Sequence, residues 1–137
     1  MATERSKLAA KKRIVILVED DPSVLRALRR LIVSNGFDVR AFARPSSMLA
    51  LDTKVLDSNA CLIFDVHLPE MTGVELYERL VTAGCRLPVI VITGHVDQAT
   101  RILVERINAV GVLLKPFSRD LLLATITKAF AVGRNPL

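Results

Sequence analysis

The chain has 137 residues, a formal net charge of +5, and a composition that is 51% hydrophobic but only 4% aromatic. This length and composition predict one domain with an aliphatic core, and they exclude a disordered chain. No apolar run is long enough to span a membrane, and the polar, basic start of the chain excludes a secretory signal. The positive residues are scattered without an aromatic stacking platform, which favours a solvated surface over direct nucleic-acid binding.

The two cysteines, Cys61 and Cys85, have neither metal-ligand nor redox spacing. Without a secretion signal, this pattern predicts reduced thiols in the cytoplasm. The charged first residues, 1–11, are predicted to form a disordered N-terminal tail, and residues 132–137 a C-terminal tail.

Strand and helix patterns alternate along the rest of the chain. Short runs rich in Val and Ile predict strands, and they lie at about 13–18, 38–42, 60–65, 88–93 and 111–114. Helical spacing and capping residues predict helices at about 22–34, 45–52, 73–81, 97–108 and 118–131. The first opens at Asp21-Pro22 and stops at Gly36, and the last turns Leu122, Ile126 and Ala129 inward. Such alternation predicts a parallel sheet covered on both faces.

Four of the apolar runs are each followed directly by polar residues. These positions are Glu19-Asp20-Asp21, Asp65, Thr93 and Lys115-Pro116. Because parallel strands end at one edge of their sheet, the sequence predicts that acids, a hydroxyl and a lysine meet there. In open α/β folds this edge is where ligands bind.

The chemistry of these side chains points to phosphoryl transfer. Asp20, Asp21 and Asp65 offer the oxygen ligands that a hard divalent cation such as Mg²⁺ prefers. Thr93 can hydrogen-bond a phosphoryl oxygen and Lys115 can neutralise one, which leaves Asp65 as the natural nucleophile. Each residue also has an ordinary explanation: Asp21 as a helix N-cap, Asp65 as a loop acid, Thr93 in a turn, and Lys115 as a surface lysine.

Four segments together resemble the receiver domain of bacterial two-component response regulators, especially receivers of the FixJ type. They are VEDDPSVLRALRRLI, CLIFDVHLPEMTGVELYERL, LPVIVITGHVD and LLKPF. The resemblance covers residues 12–131. It implies a flavodoxin-like (βα)5 three-layer sandwich with sheet order 2-1-3-4-5.

The resemblance also implies roles for individual residues. Asp65 would accept a phosphoryl group from a sensor histidine kinase or phosphotransfer protein. Asp20, Asp21, Asp65 and the backbone carbonyl of His67 would bind Mg²⁺, and Thr93 and Lys115 would contact the phosphoryl group. The bond from Lys115 to its proline would be cis. Such a protein catalyses only its own phosphorylation and dephosphorylation and is not otherwise an enzyme.

The chain departs from the family pattern at the position three residues before the lysine. Val112 stands where an aromatic residue is usual, and a short β-branched side chain cannot sweep the same volume. We therefore expect the signal to pass through the loop at 93–97 and the helix after it. The face formed by 97–131 would bind a partner or a second copy. Its apolar contacts would be Leu121, Leu123 and Phe130.

Two histidines, His67 and His95, lie two residues after Asp65 and Thr93. In the family these positions tune dephosphorylation, and the alternative is that both are ordinary exposed loop residues. A dehalogenase-type phosphatase is disfavoured because it needs a second Asp at the position of His67. The acids after the first strand likewise disfavour an FMN site.

The serious alternative is a receiver-fold interaction module that works without phosphorylation. The sequence leaves open the kinase, the output, and whether this is a single-domain regulator or the receiver of a longer one.

Overall fold

The computed structural model describes residues 13–56 and 59–133. The strands are β1 (Ile14–Val18), β2 (Asp38–Phe42), β3 (Ala60–Asp65), β4 (Val89–Thr93) and β5 (Gly111–Leu114). The helices are α1 (Pro22–Ser34), α2 (Pro45–Leu49), α3 (Thr53–Leu56), α4 (Gly73–Thr82), α5 (Gln98–Glu105) and α6 (Arg119–Gly133). Among these residues no helix is both long and apolar enough to cross a membrane.

All five strands form one parallel sheet in the order β2-β1-β3-β4-β5. This confirms the predicted flavodoxin-like topology. Successive residues of a strand point to opposite faces, so β1 and β3 feed two separate cores. The core on the α1 and α6 side includes Val15, Leu17, Ile32, Ile63, Leu122 and Ile126. The core on the α4 side includes Ile16, Val18, Leu62, Phe64, Leu76 and Leu80.

Local sequence signals explain where the helices begin and end. Asp21 caps α1 through Oδ1, which accepts hydrogen bonds from the backbone N–H groups of Ser23 and Val24. Gly36 follows α1 with φ of 94°, a left-handed conformation that glycine adopts readily. Thr72 and Glu75 form a reciprocal capping box at the start of α4.

Some predicted boundaries differ from the structure. The helix predicted at 45–52 ends at Leu49 as α2, and the short helix α3, which follows at Thr53–Leu56, was not predicted. The helix predicted at 97–108 ends at Glu105, where the backbone of Arg106 and Ile107 tightens into three-residue turns and Ile107 packs against the α4-side core. Helix α6 continues two residues past the predicted end, to Gly133. The predicted tail at 1–11 lies outside the described residues, as does the C-terminal tail after 133.

Candidate functional site

The carboxyl ends of β1, β3, β4 and β5 carry the site residues. Val18 pairs with Phe64, Asp65 with Ile92, and Thr93 with Leu114, so the residues at or just past these positions lie along one edge of the sheet. The backbone N–H of Lys115 donates to the carbonyl of Thr93 at 2.8 Å, which fixes the lysine beside β4. The predicted convergence of Asp65, Thr93 and Lys115 at this edge is therefore observed.

Lys115 links two buried acids. Its Nζ donates to Oδ2 of Asp65 at 2.7 Å and to Oε1 of Glu19 at 2.6 Å. Glu19 is fully buried, the Asp65 side chain is 7% exposed, and the Lys115 side chain is 24% exposed. The second oxygen of Glu19 accepts from the backbone N–H of Asp21 at 3.0 Å, so both of its oxygens are engaged.

Burial and the neighbouring charges act in opposite directions on the groups of this site. Burial raises the pKa of Glu19, and the charge of Asp65 adds to the rise, while the hydrogen bond from Lys115 opposes it. Burial alone would lower the pKa of Lys115, but its hydrogen bonds to Asp65 and Glu19, with the charges of both acids, raise it overall. Lys115 is therefore a permanent cation that holds the two carboxylates in place.

Three carboxylates converge at the site and form the acidic cluster of Glu19, Asp20 and Asp65. One oxygen from each lies within 4.8 Å of the others, and Asp20 is exposed to solvent. Three carboxylate oxygens open to water on one side are ligands that fit Mg²⁺, which binds through few protein oxygens and keeps several waters. The chemistry of the donor set thus agrees with the predicted metal.

The structure corrects the predicted identity of one acid. Asp21 does not join the acidic cluster, because its Oδ1 accepts hydrogen bonds from the Ser23 hydroxyl and from the backbone of Ser23 and Val24. The hydroxyl of Ser23 and these backbone groups hold the pKa of Asp21 below its ordinary value. Glu19 occupies the position that the sequence analysis gave to Asp21, and Asp21 is the helix cap.

The hydroxyl of Thr93 is engaged within its own loop. It donates to the carbonyl of His95 at 3.0 Å and accepts from the backbone N–H of the same residue at 3.1 Å. Thr93 is buried at the end of β4, so its hydroxyl can donate to another group only by giving up the bond to the His95 carbonyl. The backbone N–H of His67 donates to Oδ1 of Asp65 at 3.0 Å, while a metal-binding role for the His67 carbonyl stays a prediction. The bond between Lys115 and Pro116 is cis, as predicted.

Gly73 supports the site in a way that sequence reasoning missed. A Cβ at this position would lie 2.2 Å from the backbone carbonyl oxygen of Asp65 and 3.2 Å from Cβ of Phe64. The backbone N–H of Gly73 donates to the carbonyl of Val66 at 2.9 Å. Only glycine lets α4 begin this close behind the end of β3. The signal in the sequence was a glycine eight residues after Asp65 at the start of a helix.

An apolar groove opens beside Thr93, between α5 and the edge strand β5. It has a volume of about 360 Å³, and its walls include Val96, Val104, Val112 and Leu114. Val112 is 51% exposed, so nothing in this strand closes the groove. The groove lies on the face predicted to bind partners.

The predicted apolar contacts of that face are only partly correct. Leu121 is exposed as predicted, but Leu123 is partly buried against the α1 and α6 core. Phe130 is 2% exposed, so its prediction as a surface contact is wrong. It stacks on Phe37 with ring centroids 5.7 Å apart, and the guanidinium of Arg13 covers both rings.

Comparison with known proteins shows the family to which this chain belongs. The family model of the response regulator receiver domain matches residues 15–127. Nodulation protein W of Bradyrhizobium diazoefficiens is 36% identical over 88% of this chain and 52% of its own length. Response regulator protein TmoT of Ectopseudomonas mendocina is 33% identical over 94% of this chain and 58% of its own length. Transcriptional regulatory protein FixJ of Rhizobium meliloti is 32% identical over 84% of this chain and 55% of its own length. The chain therefore spans about half the length of these relatives.

Solved structures agree with the sequence matches. The crystal structure of FixJ-N superposes with a TM-score of 0.79 and 31% identity, over 88% of this chain and 94% of that one. The response regulator StyR gives a TM-score of 0.80 and 32% identity, over 90% of this chain and 61% of that one.

Proposed function

Because the chain belongs to the response regulator receiver domain family, we propose that Asp65 accepts a phosphoryl group from a sensor histidine kinase or a phosphotransfer protein. The single observation that carries this proposal is the position of the Asp65 carboxylate. It ends a buried strand, lies 2.7 Å from Nζ of Lys115, and belongs to the acidic cluster. A fixed carboxylate between a cation and a metal-type site has the surroundings that phosphoryl transfer requires.

Residues of this chain supply each part of the reaction. Glu19, Asp20 and Asp65 would hold Mg²⁺, together with the His67 carbonyl, and Asp21 has only its capping role. When bound, Mg²⁺ offsets negative charge on the transferring phosphoryl group.

A carboxylate oxygen of Asp65 attacks phosphorus, the bond from phosphorus to the donor's histidine nitrogen breaks, and an aspartyl phosphate forms. Lys115 neutralises one phosphoryl oxygen, and Thr93 turns from His95 to hydrogen-bond another. Water later hydrolyses the aspartyl phosphate. The protein is a signalling module, and self-phosphorylation and dephosphorylation are its only catalysis.

The output surface is the face formed by α5, β5 and α6. Six half-exposed apolar side chains lie on these elements or just before them: Val96, Ile102, Val112, Leu114, Leu121 and Val132. Three of them, Val96, Val112 and Leu114, line the groove. Scattered exposed apolar residues need no explanation, but a group beside one groove marks an interaction surface. We assign to this face a homodimer contact that forms on phosphorylation, or a protein partner. The chain itself has no part in nucleic-acid or membrane binding, and it acts in the cytoplasm.

One observation favours the alternative of a module that works without phosphorylation. Val112 is too short to couple Thr93 to the groove in the way that a large side chain would. In that alternative, Asp65 either accepts a phosphoryl group with no resulting conformational change, or is not phosphorylated at all.

Incubation with acetyl phosphate and Mg²⁺, followed by intact mass spectrometry, tests the proposal. The wild type should gain one phosphoryl group that is labile at high pH, and Asp65→Asn should gain none. Asp52→Asn is the matched control, because Asp52 is an exposed acid outside the acidic cluster and should label as the wild type does. Undiminished labelling of Asp65→Asn would contradict the acceptor assignment. A wild type that neither labels nor binds beryllofluoride would favour the phosphorylation-independent alternative.

A further inference from the structure

His67 contacts the acceptor carboxylate and helix α5 at the same time. Its backbone N–H donates to Oδ1 of Asp65 at 3.0 Å. Its ring Nε2 lies 3.3 Å from Oγ1 of Thr100, within hydrogen-bonding distance in either tautomer. Among the residues that the structure describes, no other hydrogen bond or ion pair joins the loop after β3 to α5.

Thr100 is a firm anchor for this ring. It lies in the first turn of α5, is 3% exposed, and its backbone N–H donates to the capping carboxylate of Asp97 at 2.8 Å. The His95 ring packs edge-on against the His67 ring, with centroids 5.2 Å apart and an interplanar angle of 82°. His95 is also the residue whose backbone holds the hydroxyl of Thr93. The acceptor loop, the Thr93 loop and α5 therefore meet at the ring of His67.

We propose that His67 is a positioning residue that couples the acceptor carboxylate to helix α5 through Thr100. This inference rests on the proposed function. The bond from the His67 N–H to Asp65 is assisted by the carboxylate charge, and such bonds are about twice as strong as neutral ones. Phosphorylation turns the carboxylate into an acyl phosphate, in which the negative charge lies on the phosphoryl oxygens and no longer on the carboxyl oxygens, so the bond from the His67 N–H to Oδ1 weakens and the loop relaxes. The ring of His67 then shifts against Thr100, and α5 responds.

Coupling between two sites is reciprocal in free energy. Whatever holds α5 in one arrangement therefore also changes how firmly the His67 N–H is held on Asp65. This route needs no large side chain on β5, which suits a chain with Val112 at that position. It also gives the histidine a function that depends on its ring contact and not on its charge state.

The test compares Thr100→Val, which removes the hydroxyl at nearly constant shape, with Thr100→Ser, which keeps it. Thr127→Val is the matched control, because Thr127 is an exposed α6 residue whose hydroxyl bonds only its own helix backbone among the contacts described here. His67→Ala and the His67→Ala/Thr100→Val double variant complete a cycle. Phosphoryl content is measured by intact mass for every variant, so that hydrogen exchange of the α5 amides is compared at equal phosphorylation.

We expect phosphorylation to change α5 amide exchange in the wild type, in Thr100→Ser and in Thr127→Val. In Thr100→Val and in His67→Ala the change should fall by about threefold to tenfold, the size expected for the loss of one hydrogen bond. The double variant should show no further loss. An undiminished α5 response in labelled Thr100→Val, or losses that simply add in the double variant, would overturn the proposal.

A second measurement separates this inference from the proposed function. Without any phosphodonor, exchange of the His67 amide should be faster in Thr100→Val than in the wild type or in Thr127→Val. Equal His67 exchange in all three proteins would overturn the coupling even if Asp65 is labelled normally. Failure of Asp65 labelling together with the expected change at His67 would contradict the acceptor assignment alone.

Discussion

Replacing Lys115 with methionine isolates the contribution of the cation to the acidic cluster. Methionine keeps the apolar stem but removes the ammonium that donates to Glu19 and Asp65 at 2.6 and 2.7 Å. Glu19 is fully buried and the Asp65 side chain nearly so, so neither carboxylate can turn to bulk water for compensation.

Breaking a buried ion pair by removing one partner costs about 3–5 kcal/mol. Because the Lys115 side chain is itself 24% exposed, water can reach part of the vacated space, and we expect a loss at the lower end, about 3 kcal/mol. Glu19 has a raised pKa in the folded state, and such a carboxyl lowers the free energy of unfolding only above its unfolded-state pKa. The stability difference between Lys115→Met and the wild type should therefore shrink as the pH falls towards 4.5, the ordinary pKa of glutamate.

The assay is urea unfolding at neutral pH in EDTA and again in Mg²⁺, with Lys128→Met as control for an exposed lysine. Three carboxylates and one ammonium give the wild-type cluster a formal charge of minus two, and the variant has minus three. Mg²⁺ should thus stabilise Lys115→Met more than it stabilises the wild type. A Lys115→Met variant as stable in EDTA as Lys128→Met would refute the argument that the ammonium compensates buried charge.

Three further predictions have distinct expected outcomes. Gly73→Ala should lose more than about 2 kcal/mol of unfolding free energy by calorimetry, because backbone atoms must move to relieve the overlap of the new Cβ with the Asp65 carbonyl oxygen. Gly94→Ala is the control, and it should lose less than about 1 kcal/mol because the space around Gly94 is open. Asp21→Ala should lower the free energy of unfolding by about 1 kcal/mol in denaturant, because the helix cap is lost. Asp20→Asn should leave stability in EDTA unchanged or raised, and it should weaken Mg²⁺ binding in a titration. The reverse pattern would return Asp21 to the metal site. Val112→Arg should abolish phosphorylation-dependent dimerisation in analytical ultracentrifugation without altering the monomer, and an unchanged dimer would exclude the groove as the contact.

The fold could be predicted because its signals are local. Strands β1, β3 and β4 are buried on both faces, so each is a continuous apolar run, and Pro22, Thr72 and Gly36 mark helix ends through backbone chemistry that needs no tertiary context. Predicted helix boundaries differ from the structure where a contact with a residue distant in sequence determines the end of the helix. The end of α5 is an example, because Ile107 leaves the helix to join the α4-side core.

The acidic cluster was harder to predict because three acids stand in a row. Glu19 was an unlikely member from sequence, since a glutamate is almost never fully buried unless it is paired. Its partner Lys115 is 96 residues away along the chain, and only the folded sheet brings the two together. The sequence Asp21-Pro22 did indicate that Asp21 could be a helix N-cap. The sequence alone could not decide between capping and metal binding, because that depends on the direction of the Asp21 side chain.

The error at Phe130 has a different cause. Phe130 follows Leu122 by eight residues and Ile126 by four, so it shares the face that helical spacing turns inward, and its prediction as a surface contact conflicted with that spacing. In the structure Phe37, just before β2, offers a ring on which Phe130 stacks, and Arg13 covers the pair. Neither partner is near Phe130 in sequence, and the stacking depends on the sheet order.

The resting state of Thr93 sets a limit on how the switch works. Its hydroxyl has a single proton, which is donated to the His95 carbonyl. Exchanging that neutral acceptor for a charged phosphoryl oxygen gains roughly 1 kcal/mol, a factor of about five in a two-state equilibrium. Moving such an equilibrium from mostly inactive to mostly active needs about 5.5 kcal/mol. The rest must come from other groups that differ between the states, and the structure offers the bonds of Lys115, the acidic cluster with its cation, and the contact of His67 with Thr100. On the contribution of Thr93 alone, phosphorylation would shift this protein only part of the way, so these contacts or a partner in the groove beside Val112 must complete the transition.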